Sequence, residues 1–250
     1  CFVTLTYSDD EIPEDWSLNK RHFQLFMKRL RKRYSGQVIR YYHVGEYGET
    51  CRHRVHVSDC NGCSVGRPHY HAILFNCNFH DRELVGQRNG IPHWTSPTLT
   101  EIWGHGHTQV GEVTAQSAGY VARYALKKVT GAQAEDHYRS LDLTTGEVTY
   151  VYPEYSTMSR RPGIGKQWFD KYKSDLYPSN QTPTVGGGVK PGIPRYYDKL
   201  MEQEDPEALE IVKEKRKLFA LEQAHDNTPL RLLDKATVKL AQIKTLKREL

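Results

Sequence analysis

The ten residues Gly66-Arg67-Pro68-His69-Tyr70-His71-Ala72-Ile73-Leu74-Phe75 place the tightest limit on what this chain can fold into, because a turn, a strand and two metal-ligand side chains share one short run. Gly66 and Pro68 punctuate its start, and the apolar run Ala72 to Phe75 fits a strand lying over a core. Residues two apart on a strand project from one face, so His69 and His71 aim their imidazoles at a common point. Histidines on a strand also pack or stay solvated; as a pair on one face they make this strand a candidate metal site.

Further strands follow from the same periodicity. Phe2 to Tyr7 alternates Phe2, Thr4 and Thr6 with Val3, Leu5 and Tyr7 and ends in the turn signal Ser8-Asp9-Asp10, so its threonines face one side. Val38 to Tyr47 is rich in β-branched and aromatic residues and is predicted to pair beside the His-Tyr-His strand. Its end, Gly45-Glu46-Tyr47-Gly48-Glu49, leaves a carboxylate near the turn. Between these two runs, a helix starting at Ser17-Leu18-Asn19-Lys20 carries the stripe Phe23, Phe26, Met27, Leu30 and Tyr34, with Gly36 closing it. Its opposite face is basic, including Lys28, Arg31 and Lys32, and suits either solvent or a phosphate backbone.

Downstream, Pro97 to Gly104 reads as a short helix, Gly106 to Val113 as a strand, and Ala115 to Val129 as a helix. On that last helix Tyr120 and Tyr124 are four apart and share a face, with Lys127 three residues further on. A hairpin is predicted through Thr144-Thr145-Gly146-Glu147, a basic loop at Ser159-Arg160-Arg161-Pro162-Gly163-Ile164-Gly165, and a helix from Gln167 to Asp175. Residues 178–194, with Pro178, Pro183, Pro191, Pro194 and Gly186-Gly187-Gly188, read as a linker. Asp205 to Gln223 and Pro229 to Leu250 read as charged amphipathic helices. The expected fold is α+β: a central antiparallel sheet of about five strands with flanking helices in residues 1–177, the linker, and a charged helical tail over 195–250.

Hydrophobic residues make up 38% and charged residues 26%, a globular balance, and no apolar run approaches the ~20 residues that cross a bilayer, so no membrane partner is expected. A strand begins at Phe2 with no initiator Met before it, so the numbered chain is expected to start inside a longer one. The net charge of +5 permits nucleic-acid binding, which needs local clustering of cations rather than bulk charge. Five cysteines, three of them between Cys51 and Cys63, suit a reducing compartment better than a disulfide scaffold. Residues 50–66 then form an insertion in which Cys51, His53, His56, Cys60 and Cys63 offer enough soft ligands for a structural zinc ion, with an Asn61-Gly62 turn inside the Cys-x2-Cys pair.

In order, the Phe-Val-Thr-Leu-Thr-Tyr strand, the Gly-Glu-Tyr-Gly strand end, the His-Tyr-His strand and the Tyr-x-x-x-Tyr-x-x-Lys helix resemble the HUH-type replication initiators. More narrowly, the chain looks like the rolling-circle initiators of small single-stranded DNA phages, the microviruses and their gokushovirus branch. The resemblance covers most of residues 1–200, including Ser159 to Gly165 and Pro194-Arg195-Tyr196-Tyr197-Asp198-Lys199-Leu200, and departs from the pattern in residues 50–66. It implies that His69 and His71 are paired ligands of Mg2+ or Mn2+, with Glu46 the acidic third ligand. It implies Tyr120 and Tyr124 as nucleophiles, Lys127 as helper of the second, and a site where metal and tyrosines meet over the sheet face away from the other helices. The function implied is nicking of single-stranded origin DNA through a 5′-phosphotyrosine intermediate and rejoining of the ends, in the host bacterial cytoplasm, alongside a host replication helicase or polymerase. Lys28, Arg31, Lys32, Arg123, Arg160 and Arg161 are the candidate DNA contacts. Two other readings stay open: a relaxase or transposase of the same chemistry, and a non-enzymatic single-strand binder that stacks bases on its aromatic residues.

Overall fold

The alternating runs pair as one antiparallel sheet in the computed structural model of the chain, which describes residues 1–88, 90–124, 128–184 and 186–245. In chain order the strands are β1 (Phe2–Tyr7), β2 (Arg40–Tyr47), β3 (Pro68–Phe75), β4 (Glu83–Arg88), β5 (Ile91–Thr95), β6 (Gly106–Gly111), β7 (Arg139–Leu141), β8 (Val148–Tyr150) and β9 (Tyr155–Met158). Seven of them form the main sheet in the order β4-β5-β6-β1-β3-β2-β9, while β7 and β8 pair only with each other. The sheet is thus wider than the five or so strands the sequence predicts. The additional width comes from the β4–β5 hairpin, interrupted by Gly86 and Pro92, and from the four-residue β9, which borrows its pairing from β2.

Three helices flank this sheet, α1 (Lys20–Arg33), α2 (Pro97–Trp103) and α3 (Ala115–Arg123), with a short α4 (Gln133–His137) leading to β7. Asn19 caps α1 by accepting a hydrogen bond from the Arg21 backbone, and Phe23, Phe26, Met27 and Leu30 form its buried stripe. They pack with Val3, Leu5, Tyr7, Tyr70, Ala72 and Leu74, the odd positions of β1 and the even positions of β3, into the main core. Burial of each large side chain there contributes roughly 1.5–3 kcal/mol. Ser96 caps α2 through the Leu99 backbone N–H, and Gly104 ends it at φ 69°, a left-handed turn that favours glycine. Arg29 of α1 donates to the carbonyls of Ile102 and Trp103, tying α1 to the end of α2.

The other face of β1, β2 and β3 carries a smaller cluster of Phe2, Val44, Ile73, Val121 and Tyr124, with Tyr42, Ala118 and Tyr120 beside it. α3 supplies its helical half. A capping box starts α3: Thr114 accepts from the Ser117 backbone at 3.1 Å and Ser117 Oγ accepts from the Thr114 backbone at 2.8 Å. The helix predicted over Ala115 to Val129 is described as far as Arg123, with Tyr124 as its C-cap; Lys127 lies outside the described residues.

The chain divides into two compact units, Cys1–Ser159 and the residues from Arg160 onward. The second contains α5 (Lys166–Leu176), β10 (Gln181–Pro183), β11 (Val189–Pro191), α6 (Arg195–Glu204), α7 (Pro206–Glu222) and α8 (Pro229–Thr245). Its core is Phe169, Leu176, Tyr177, Met201, Leu209 and Val212. Asp198 accepts from Tyr177 Oη at 2.8 Å and from both terminal nitrogens of Arg216 at 2.7 and 3.1 Å, which joins α6 to α7. Residues 178–194, predicted as a linker, hold the β10–β11 hairpin, and α6 is a helix the sequence pattern does not announce. Among the described residues no helix is long and apolar enough to cross a membrane.

Candidate active site and a second cluster of metal ligands

Register brings the first set of ligands together. β2 and β3 pair antiparallel with Glu46 opposite His69 and Val44 opposite His71, while β1 sets Thr4 opposite His71. Glu46, His69 and His71 therefore project from one face, the face that α3 covers. Both imidazole Nε2 atoms lie 2.9 Å from the same Glu46 oxygen, Oε1. Their other nitrogens are also held: His69 Nδ1 donates to the Arg67 carbonyl at 3.2 Å, and His71 Nδ1 meets Thr4 Oγ1 at 3.0 Å. An imidazole fixed through Nδ1 presents Nε2 in a set direction, the arrangement that ligating histidines require of their surroundings. Glu46 and His71 are buried, and His69 is half-buried.

Burial alone would raise the Glu46 pKa. Hydrogen bonds from His69 and His71, and their charges, outweigh it and hold the carboxyl well below its ordinary range. Glu46 is thus a carboxylate beside two imidazoles, a donor set of one oxygen and two nitrogens that fits a divalent cation with coordination positions left over.

The tyrosines sit directly over these ligands. The Tyr124 ring stacks on His71 with centroids 5.5 Å apart, the Tyr120 ring meets His71 edge-on at 5.7 Å, and the two tyrosine rings are 4.8 Å apart. Phe2 stacks on the same imidazole at 5.4 Å. Burial drives the Tyr124 phenol far above its usual pKa, and the Glu46 charge and the hydrogen bonds to Tyr120 and Glu46 push it further. The phenol is therefore held protonated while the Glu46 charge stands beside it.

A second cluster lies in the β2–β3 connection. Cys51, His53, Cys60 and Cys63 each offer one ligand atom, and all four atoms lie within 4.8 Å of one another. His56, the fifth residue of the sequence-predicted set, is not among them. Its Nδ1 accepts from the Ser58 backbone at 3.2 Å to cap the short helical turn Val57–Asp59, and its Nε2 lies 3.6 Å from Glu49.

The candidate DNA-contacting cations are distributed. Lys28, Arg31 and Lys32 are exposed on α1, which packs on the sheet face opposite Glu46, His69 and His71. Arg123 lies on α3 next to Tyr124, and Arg160 and Arg161 are exposed in the second unit. Of the groups that orient the site, Arg67 carries no sequence signal because its backbone carbonyl does the work. Thr4 is marked only by the alternation that turns the threonines of β1 to one side.

A family profile for the replication-associated protein ORF2 family matches residues 1–58 and 62–129, which include every residue of the first cluster and both tyrosines. The chain is 30% identical over 214 residues to Replication-associated protein VP4 of Bdellovibrio phage phiMH2K, covering 82% of this chain and 59% of that protein. It is 34% identical over 232 residues to Replication-associated protein ORF2 of Spiroplasma virus 4, covering 88% and 63%, and 28% identical over 208 residues to Replication-associated protein ORF4 of Chlamydia phage 1, covering 80% and 45%. The chain thus spans about half to two thirds of the length of the curated relatives it matches. No solved structure matches it. With its profile match running through the strands and the helix that build the site, the chain belongs to the replication-associated protein ORF2 family.

Proposed function

We propose that this chain is the nicking and joining part of a rolling-circle replication initiator, an HUH-type tyrosine endonuclease and strand transferase that acts on single-stranded origin DNA in the host cytoplasm. The observation that carries this reading is the stacking of Tyr124 and Tyr120 on His71, which puts two phenols beside a Glu-His-His donor set. A divalent cation held by Glu46, His69 and His71, magnesium or manganese, would offset the charge of Glu46 and of the scissile phosphate.

The remaining steps belong to the protein's own residues. The tyrosine oxygen forms a bond to phosphorus as the bond from phosphorus to the 3′ oxygen breaks. The 3′ oxygen leaves as a hydroxyl, and the 5′ phosphate stays on the tyrosine. Reverse attack by a 3′ hydroxyl restores the phosphodiester and returns the proton to the phenol, so the ends rejoin without ATP. Two tyrosines four apart on one helix reach one phosphate position in turn, which allows one to hold a 5′ end while the other cuts the regenerated origin. Lys127 would assist Tyr124, Arg123 would contact the strand beside the tyrosines, and Lys28, Arg31, Lys32, Arg160 and Arg161 would hold flanking phosphates.

Incubating the protein with labelled single-stranded origin DNA and magnesium or manganese, followed by denaturing electrophoresis and peptide mapping, tests this. The expected product is DNA linked to Tyr120 or Tyr124. Binding with no covalent product would instead favour a single-strand binder, and a link to any other residue would remove the two tyrosines from the mechanism.

A further inference from the structure

The segment 50–66 raises a folding problem. It runs between β2 and β3, contains only the three-residue turn Val57–Asp59 as regular structure, and is poor in apolar side chains, with Val55 exposed. Apart from glycines, its buried positions are Cys51, Cys63 and Val65. A connection of this length without a core of its own needs a cross-link to hold one conformation. All of its cysteines are free thiols.

The four side chains that converge have the composition and spacing of a closed tetrahedral centre. His53 Nδ1 lies 3.2 Å from Cys60 Sγ and 3.5 Å from Cys63 Sγ. With bonds of about 2.0–2.1 Å to nitrogen and about 2.3 Å to sulfur, a tetrahedron has N···S edges of about 3.6 Å and S···S edges of about 3.8 Å. The observed separations sit around those edges, within the 4.8 Å that bounds the whole set. The backbone supports the sulfurs: Gly62 N–H donates to Cys60 Sγ at 3.4 Å, and Ser140 Oγ lies 3.7 Å from Cys63 Sγ. Amide and hydroxyl groups directed at sulfur are what a thiolate ligand needs around it.

We propose that Cys51, His53, Cys60 and Cys63 bind a structural Zn2+ ion that clasps the β2–β3 connection and docks the β7–β8 hairpin against it. Three sulfurs and one imidazole select zinc over the harder ions suited to Glu46, His69 and His71, and four protein ligands leave no position for substrate. The docking contacts are adjacent to the ligands. Leu141 N donates to the Gly62 carbonyl at 2.7 Å, Cys63 bridges Ser140, and Arg52 pairs with Asp142 at 3.6 Å. Gly62 is required there, since a Cβ would come within 2.6 Å of the Leu141 carbonyl oxygen. The clasp stands whether or not the tyrosines nick DNA.

The test uses the full chain purified under reducing conditions. Elemental analysis is expected to find one zinc per chain, retained by Glu46→Ala and His69→Ala and lost by Cys60→Ser. Exchange of zinc for Co2+ is expected to give the strong visible absorption of a tetrahedral site with a thiolate charge-transfer band. His53→Cys provides a second reading should Cys60→Ser fail to fold: it is expected to keep one metal per chain and to intensify the charge-transfer band. A wild-type chain free of zinc, an octahedral Co2+ spectrum, a mass two hydrogens light from a disulfide within the cluster, or retention of zinc by a folded Cys60→Ser protein would each overturn the assignment.

Discussion

The Glu46-His69-His71 set and the Cys51-His53-Cys60-Cys63 set lie at opposite ends of one connection, yet they are held in place by different means. The first set sits on paired strands whose hydrogen-bond register places Glu46 opposite His69 whatever else is bound. Backbone and hydroxyl partners already fix both imidazoles. The second set sits on a loop with almost no regular structure, where the ligands themselves are the buried groups. A site on strands is preorganised and can leave positions open for a substrate; a site on a loop needs its ion to become ordered and uses every position in doing so. Removing metal from the first should therefore cost chemistry with little change in fold, and removing it from the second should cost local structure.

The largest effect expected is from replacing both tyrosines. Tyr120→Phe with Tyr124→Phe keeps the rings on His71 and removes only the two nucleophilic oxygens, so the covalent DNA adduct should fall by about 10³-fold or more while the melting temperature stays close to wild type. Each single variant should keep some first-strand cleavage and lose coupled cutting and rejoining. An adduct that persists in the double variant would detach the strand-borne site from its chemistry.

Glu46→Gln comes next. It keeps the shape and removes the charge that the two histidines stabilise, so nicking should fall roughly 10²–10³-fold and need more manganese to recover, measured as initial rate against metal concentration. Zinc content should not change. If Glu46→Gln lowered zinc content as well, the two sets would be coupled, and their division into an open and a closed centre would fail.

Much of this contrast was legible in the sequence, for physical reasons that differ by region. Period-two alternation assigns Glu46, His69, His71 and Thr4 to one sheet face, and 3.6-residue periodicity does the same for Tyr120 and Tyr124 and for the buried stripe of α1. The same alternation takes His43 to the opposite face, where it stacks on Phe23 with ring centroids 3.3 Å apart and serves the core. Register, by contrast, is a property of pairs of strands, so the convergence of both Nε2 atoms on one oxygen of Glu46 could not be read from any single run. The β4–β5 hairpin was missed because its strands carry glycine and proline where β-branched residues would signal pairing, and α6 because its stabilisation comes from Asp198 and Arg216 across α7 rather than from its own pattern. Cysteine spacing identified the soft cluster, while only the folded loop separates His53, which points inward, from His56, which caps a turn.

A smaller effect is expected at Thr4, whose hydroxyl meets His71 Nδ1 across the β1–β3 pairing. Thr4→Val is close in shape, so the strand should be retained and only the orientation of one ligand loosened. Losing such a partner typically costs about 10–100-fold in metal affinity, which isothermal titration with manganese would measure on the folded protein. Unchanged manganese affinity in Thr4→Val would mean that β3 and Glu46 alone orient His71, and the strand-borne site would be more rigid than its hydrogen bonds suggest.

The smallest effect is expected at His56, and it bears most directly on which ligands close the loop-borne centre. His56 is exposed; its Nδ1 accepts from the Ser58 backbone and its Nε2 faces Glu49 at 3.6 Å, so its work is to cap one short turn. Loss of a capping side chain costs roughly 0.5–2 kcal/mol, and the three-residue length of this turn puts His56→Ala at the low end. The pair with Glu49 adds little, because Glu49 is also exposed. His56→Ala should therefore keep one zinc per chain and the wild-type Co2+ spectrum, with a melting temperature lower by no more than a few degrees, whereas His53→Ala should release the metal. Retention of zinc by His53→Ala together with its loss from His56→Ala would exchange the two histidines and require the loop to close around the outer one.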